Sequence, residues 1–527
     1  MRVMPAVGQR SGVKMIAGLI GRNRLFTAFL VIAALLRADA ELGYRWQSWF
    51  NDSWDYVDTA VTLNLNPARA SGYSLYMWLL KPFHSFALVT ISQHLMGLAV
   101  AVMMYALAKR RFGCRSWLAA AMTLPVLFDG FEIQLEHLIM SDTLFLFLAM
   151  LALVILLWSP LRAGQRTWVR CGVAGLLLGL SAIVRSTGLP LVPLFGLWVL
   201  LVLALNRAGW RTFIASAAAF GVTALVPNVG YAAWFDSQHG QFNTSESAGV
   251  FLYSRVMTFA ECSKMGQLPV DLLSLCSTVP PDRRPLAQAY IWTAASPLAR
   301  FPSPKFAPLP NSLGEQFAVK AIEAQPLAYA RVVFDDTWRS FGWPRTVFPN
   351  AETYDEYLFG YHSVAVSNAH PADGYPSSAQ AYLAGASPRT RVVNPFAGAI
   401  RIYQRYVWLP GTVYGLVLVA GLAGLFAARR RRGTSVAALL PWATSLVLIV
   451  APAATAEFDY RYVTTAMPFA CLAVAMAFGR ARREKQAVSA AEPRRAAGFA
   501  RGLTGRGLDD GPGDAGHDER DLAPDAT

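Results

Sequence analysis

Apolar residues in this chain come in long runs separated by short polar segments. Runs of roughly 16–22 residues recur, and a helix needs about 20 residues to cross a bilayer. The first is Leu25–Leu36, which apolar Met15–Gly21 can extend. Others lie near 88–108, 115–128, 142–159, 169–184, 188–206, 212–234, 409–428, 434–453 and 463–479. The pattern predicts an α-helical polytopic membrane protein with about ten transmembrane helices. Ala38-Asp39-Ala40 also looks like a signal-peptidase site. Cleavage of residues 1–40 and a retained first helix are both open, and the apolar extension favours retention.

Two segments do not fit inside a bilayer. Residues 39–86 form a loop with interfacial apolar stretches such as Tyr73–Leu80. Residues 236–408 are numerous enough to bury a core of their own. This predicts a mixed or mainly helical external domain. Within it Ser312–Phe341 has apolar residues near the helical period, interrupted at Pro326. The expected organisation is a membrane module over 1–235, the domain at 236–408, C-terminal membrane helices at 409–480 and a disordered cytoplasmic tail at 481–527.

Charge gives the chain a direction. Alternate loops carry Lys109, Arg110, Arg111 and Arg115; then Arg162, Arg166 and Arg170; then Arg207 and Arg211; then Arg429–Arg432 and Arg480–Lys485. The intervening loops are acidic or mixed, and Asp129, Glu132, Glu136 and Asp142 share one with no Lys or Arg. The positive-inside rule makes the basic loops cytoplasmic. Both termini are then cytoplasmic, in a multi-pass protein of the plasma membrane. The net charge of +14 could suggest nucleic acid, but the basic residues sit in short clusters between apolar runs, so that partner is rejected. Only 15% of residues are charged and 54% are hydrophobic, against roughly 25% charged in soluble domains.

Cysteine is sparse. Cys114, Cys171 and Cys471 fall in or beside apolar runs, whereas Cys262 and Cys276 fall in the external segment. A disulfide between the last two is open. There is no Cys/His metal pattern, no phosphate-binding GxxxxGK[ST] loop, no Rossmann fingerprint and no HExxH helix. A nucleotide donor would also lie on the wrong side of the membrane.

Ionisable residues gather at the external ends of several helices, where they are costly and often functional. The first group is Asn51–Ala60. As a helix it would set Asp52, Asp55 and Tyr56 on one face, with Asp52 or Ser53 able to cap it. It could supply a carboxylate base or be only a solvated interfacial helix. The second, Asp129–Asp142, holds Glu132, Glu136, His137 and Asp142; such a set could bind a divalent metal, or merely keep the loop outside. The third is Arg185, alone in a tight loop, whose donor fork suits phosphate oxygens, or which snorkels. The fourth, Glu457-Phe458-Asp459-Tyr460-Arg461-Tyr462, could be a second phosphate contact or a self-satisfied ion pair.

Taken in order, these places resemble the GT-C superfamily of membrane glycosyltransferases, on the branch of protein mannosyltransferases and aminoarabinose transferases. That branch carries D-E-x-x-Y-x-x-x-A in its first external loop, matched here by Asp52, Ser53, Tyr56 and Ala60, with Ser53 departing from the acid. Ser71-Gly72-Tyr73-Ser74-Leu75 looks like its Pro-Gly-Tyr-Pro-Leu segment without the prolines. Ile139–Asp142, Gly179–Arg185 and Glu457–Pro468 look like its acid-before-helix, Gly-Leu-to-Arg and E-x-R-Y-x-x-P-x-x-P elements. The resemblance covers roughly residues 20–205 and 409–480.

The resemblance implies inverting transfer of a hexose or pentose from a polyprenyl-phosphate donor to an acceptor hydroxyl at the external membrane face. Acceptors could be glycan, lipid or protein. Asp52 would be the base, with Asp55 and Asp142 orienting acceptor or metal. Arg185, Arg461 and Lys81 would hold the donor phosphate. Tyr56, Glu136, His137, Glu457 and Tyr462 complete the candidate set. No cofactor is assigned; a divalent metal is possible, with its ligands unknown. Trp338, Trp343, Tyr354 and Tyr357 could stack on acceptor sugars or form the core of the external domain. Rival readings are a flippase for lipid-linked sugars, which needs polar residues mid-membrane, and a non-catalytic envelope-assembly protein.

Overall fold

The computed structural model describes residues 23–45, 47–162, 166–294, 296–362, 375–428 and 432–479. The expected disordered tail lies outside them, as do residues 1–22.

Helices dominate the chain. Among the described residues, five are long and apolar enough to cross a membrane: Phe86–Arg111, Thr167–Val184, Ser186–Leu205, Trp210–His239 and Gly433–Thr455. A sixth arises if Phe396–Tyr406 and Gly411–Ala427, bent by 57°, act as one span. The chain is thus a multi-pass membrane protein. Several other expected runs form different helices. Residues 115–128 break into Ser116–Ala121 and Leu124–Phe128, and Asp142–Leu157 is apolar but only 16 residues long. Arg24–Gly43 carries Arg37, Asp39 and Glu41 directly after its apolar run.

Burial sorts these helices into inner and outer ones. Tyr460–Ala477 is buried along almost its whole length. Ser445 Oγ donates to its Ala466 carbonyl at 2.8 Å and ties it to the neighbouring helix. Trp210–His239 lies outside, with Val222, Leu225, Val226 and Val229 exposed. It packs along Thr167–Val184 through a face of small residues, the usual way for membrane helices to approach closely. Thr223 Oγ1 there donates to the Gly172 carbonyl at 2.6 Å.

The segment after His239 divides between two cores. Val250, Tyr253, Phe317 and Ala321 belong to a core separate from that of the bundle, and Cys262 and Cys276 form a disulfide beside it. The helices Pro308–Ala324 and Pro326–Arg339 meet at Pro326, where the sequence placed the interruption. Phe348, Tyr357 and Tyr382 instead join the bundle core. Tyr44–Arg45 and Arg391–Val392 pair antiparallel, fastening the end of Arg24–Gly43 to the end of this segment.

Candidate functional site

The short helix Ser53–Thr62 begins directly after Asp52. Asp52 does not cap it with its side chain, contrary to one expectation. Ser53 is occupied elsewhere: its hydroxyl accepts from Phe50 N and donates to the Ile139 carbonyl, both at 2.9 Å. The residue that departs from the acid of the sequence pattern therefore links this helix to the connector before Asp142.

With its side chain free of capping, Asp52 turns to two guanidiniums. Its Oδ1 pairs with Arg69 Nη1 at 2.5 Å and its Oδ2 with Arg461 Nη1 at 2.8 Å. Arg69 Nε also pairs with Asp55 at 2.7 Å, so the two acids of one helix face share a cation. Arg461 Nε continues the chain to Asp459 at 2.9 Å, and Asp459 accepts from the Tyr357 hydroxyl. Burial alone would raise the Asp52 carboxyl, but Arg69 and Arg461 outweigh it and hold it well below the usual carboxylate range.

Arg185 follows Thr167–Val184 and forms an ion pair with Asp142, whose side chain is fully buried. Its guanidinium lies 5.3 Å from the Tyr462 ring, and Tyr462 also faces Arg461 at 5.8 Å. Tyr56 shares a 3.0 Å hydrogen bond with Ser141, next to Asp142. Gly72 sets the last element: a Cβ there would strike the backbone of Ile183 and Val184, immediately before Arg185. Asp52, Asp55, Tyr56, Asp142, Arg185, Arg461 and Tyr462 thus come together.

Four expected residues stand elsewhere. Lys81 donates to the Val61 carbonyl at 3.2 Å. Glu457 accepts from Gln288 N rather than joining Arg461, and burial, with the Asp336 charge adding, pushes it up to about 7. Glu136 and His137 do not combine with Asp142. Glu136 takes a forked contact from Arg37, Nε at 2.7 Å and Nη2 at 2.6 Å, and accepts from His94. The backbone explains the separation: Leu138, directly after Gly130–His137, is extended, so the helix ends there and Asp142 begins another.

Two members of the site were not anticipated. Arg69 is the only basic residue between Arg45 and Lys81, a signal that could have found it. Glu356 accepts from Asn51 N and Nδ2 at 3.3 and 3.1 Å. Burial pushes its carboxyl up to about 8, the Asp52 and Glu352 charges adding to this and Arg461 opposing it. Of the expected aromatics, Trp338 and Trp343 are exposed, whereas Tyr357 is buried and Tyr354 packs on Phe131 and Tyr460.

No family model matches the chain, and no curated protein matches it. Solved structures do show likeness. One is the S. cerevisiae protein O-mannosyltransferase Pmt1-Pmt2 complex bound to the sugar donor: 16% identity, 44% of this chain, 35% of that chain, TM-score 0.34. Another is the Archaeoglobus fulgidus oligosaccharyltransferase AglB with an inhibitory peptide and a dolichol-phosphate: 14% identity, 92% of this chain, 52% of that one, TM-score 0.39. A third is ArnT from Cupriavidus metallidurans bound to undecaprenyl phosphate: 15% identity, 88% of this chain, 78% of that one, TM-score 0.33. The chain spans about a third to a half of the length of the first two. Likeness at this level assigns no activity.

Proposed function

We propose that the protein is a GT-C-type glycosyltransferase that moves a sugar from a polyprenyl-phosphate donor to an acceptor hydroxyl, with inversion, at the external face of the membrane. One observation carries this reading. Asp52, Asp55 and Asp142 are interleaved with Arg69, Arg185 and Arg461, and Asp142, Arg185 and Arg461 stand at the ends of apolar helices. A carboxylate beside clustered guanidiniums suits a reaction that takes up a proton and releases a phosphate.

Asp52 is the base. The acceptor oxygen attacks the anomeric carbon as its proton passes to the carboxylate. The bond from that carbon to the phosphate oxygen breaks, and its electron pair leaves on the lipid phosphate. Arg185 and Arg461 take up that charge; preorganised donors of this kind are often the largest catalytic contribution. Asp52 is a weak base while both arginines face it. Donor phosphate competes for Arg461, so its arrival raises the basicity of Asp52 when proton transfer is needed. Asp142 aims Arg185, and Asp55 aims Arg69.

The site faces outward if the basic loops are cytoplasmic, and that topology needs about ten crossings with the shorter and charged helices counted. The segment from 236 to 408 is then external and within reach of acceptors. The deciding experiment uses full-length protein in nanodiscs with radiolabelled polyprenyl-phosphate sugars, hexosyl and pentosyl, comparing wild type with Asp52→Asn. Turnover of one donor that the variant loses supports the reading. Donor binding without turnover by wild type favours a flippase, and no binding of any donor overturns the reading.

A further inference from the structure

Away from the aspartate–arginine cluster, three side chains from three helices point at one another. Glu41 comes from Arg24–Gly43, His94 from Phe86–Ala106 and His137 from the end of Gly130–His137. All three are buried. His94 Nε2 stands 3.3 Å from His137 Nδ1, and Glu41 Oε1 stands 3.6 Å from each of those nitrogens.

The outer hydrogen bonds decide what these atoms present. His137 Nε2 lies 2.8 Å from the Tyr44 carbonyl, which can only accept, so this nitrogen carries its proton. His94 Nδ1 lies 2.8 Å from Glu136 Oε2, and both oxygens of that carboxyl accept from the Arg37 fork, so His94 donates here too. Both inner nitrogens are left with lone pairs aimed inward. Glu41 adds a carboxylate oxygen that stands beyond hydrogen-bond distance of both histidine nitrogens. Three electron-rich atoms converge with no positive charge between them. A shared proton would join the two imidazoles but leave Glu41 unserved, since 3.6 Å is too long for a hydrogen bond.

We propose that Glu41, His94 and His137 bind a divalent metal ion of the zinc type. Two imidazoles and a carboxylate form a known zinc ligand set, and bonds of about 2.0–2.1 Å place tetrahedral ligands about 3.3 Å apart. The observed triangle is close to that size. The outer partners also fit: metal-bound histidines usually donate their second N–H to a carboxylate or carbonyl, which fixes the ring and its tautomer. Gly97 makes room for this arrangement, because a Cβ there would strike the Glu136 carboxylate.

The ion is a positioning metal. Ser48 N donates to the His137 carbonyl and Ile139 N to the Ser48 carbonyl, both at 3.1 Å. Ser53 then donates to Ile139. Fixing His137 therefore fixes the backbone that presents Asp52.

The test uses full-length protein in nanodiscs, tag removed, with elemental analysis, a cobalt spectrum and thermal unfolding. Wild type is expected to retain about one equivalent of zinc, and Glu41→Gln and His94→Ala below about a tenth of that. Cobalt in the stripped wild type should give the visible bands of a tetrahedral site. Chelation should lower the Tm of wild type, and zinc should restore it. Wild type that holds no metal and whose Tm ignores both chelator and zinc overturns the proposal in favour of a shared proton. Variants that keep a full equivalent also overturn it, by placing the ion elsewhere. Should a variant fail to fold, the wild-type chelator and zinc responses decide alone.

Discussion

The Asp52 carboxylate meets the Arg461 guanidinium at 2.8 Å across a sequence separation of 409 residues. The contact joins the first polar loop to the start of the last described helix, so the cluster exists only when the whole bundle has assembled. It also places the proposed base in direct competition with the leaving phosphate for one cation.

Asp52→Asn should therefore fold and bind donor but turn over about 10²–10⁴-fold more slowly, the usual contribution of a general base. The amide keeps the shape and loses the proton acceptor. Single-turnover kinetics beside donor binding check this, and full activity in the variant would remove Asp52 from the mechanism.

Arg69 carries two carboxylates, and Arg69→Met would leave Asp52 and Asp55 facing each other with less compensation. Breaking a largely buried pair costs about 3–5 kcal/mol; with these side chains 14–18% exposed, about 2–3 kcal/mol is expected. Arg69→Lys should recover part of the loss. Thermal and denaturant unfolding of the purified protein measure both.

The two acids near Asn51 respond to pH in opposite directions. Asp52 is depressed, so its pairing stabilises the fold above about pH 3.9 and is lost as pH falls through its lower native value. Glu356 is raised to about 8 from an ordinary value of about 4.3. Its neutral form is native-compatible at low pH, and stability is lost progressively as pH rises from about 4.3 until it has passed through about 8. A fall in Tm as pH rises from about 4.3 to about 8, levelling off above that, should be present in wild type and absent in Glu356→Gln. An unchanged fall over that range in the variant would assign the loss to another group.

Arg37 and Glu136 form an ion pair with almost no exposure. Glu136→Leu alone should cost about 3–5 kcal/mol by leaving Arg37 unpaired, whereas Arg37→Met with Glu136→Leu should recover much of it. A double-mutant cycle in unfolding experiments measures the coupling.

Much of the site was legible because its chemistry is local. Asp52, Tyr56, Arg185 and Arg461 each sit in a short polar interruption between apolar runs, where a charged residue is conspicuous. Glu136 and His137 were conspicuous too, but their partners were not. They were read with acids on their own loop, whereas Arg37 and His94 reach them from two other helices. Nothing in the spacing along one loop records which neighbouring helix face will be packed against it.

The sequence by itself determined that the chain is helical and membrane-embedded, since the length and apolarity of its runs are properties of single segments. It also determined which ionisable residues would stand at helix ends. Tertiary structure alone decided their partners: Arg69 shared between Asp52 and Asp55, Asp142 on Arg185, and Glu41 beside two histidines. The reason is physical. A buried charge must be compensated, and which of several counter-charges comes within a few ångströms is settled by how the helices pack.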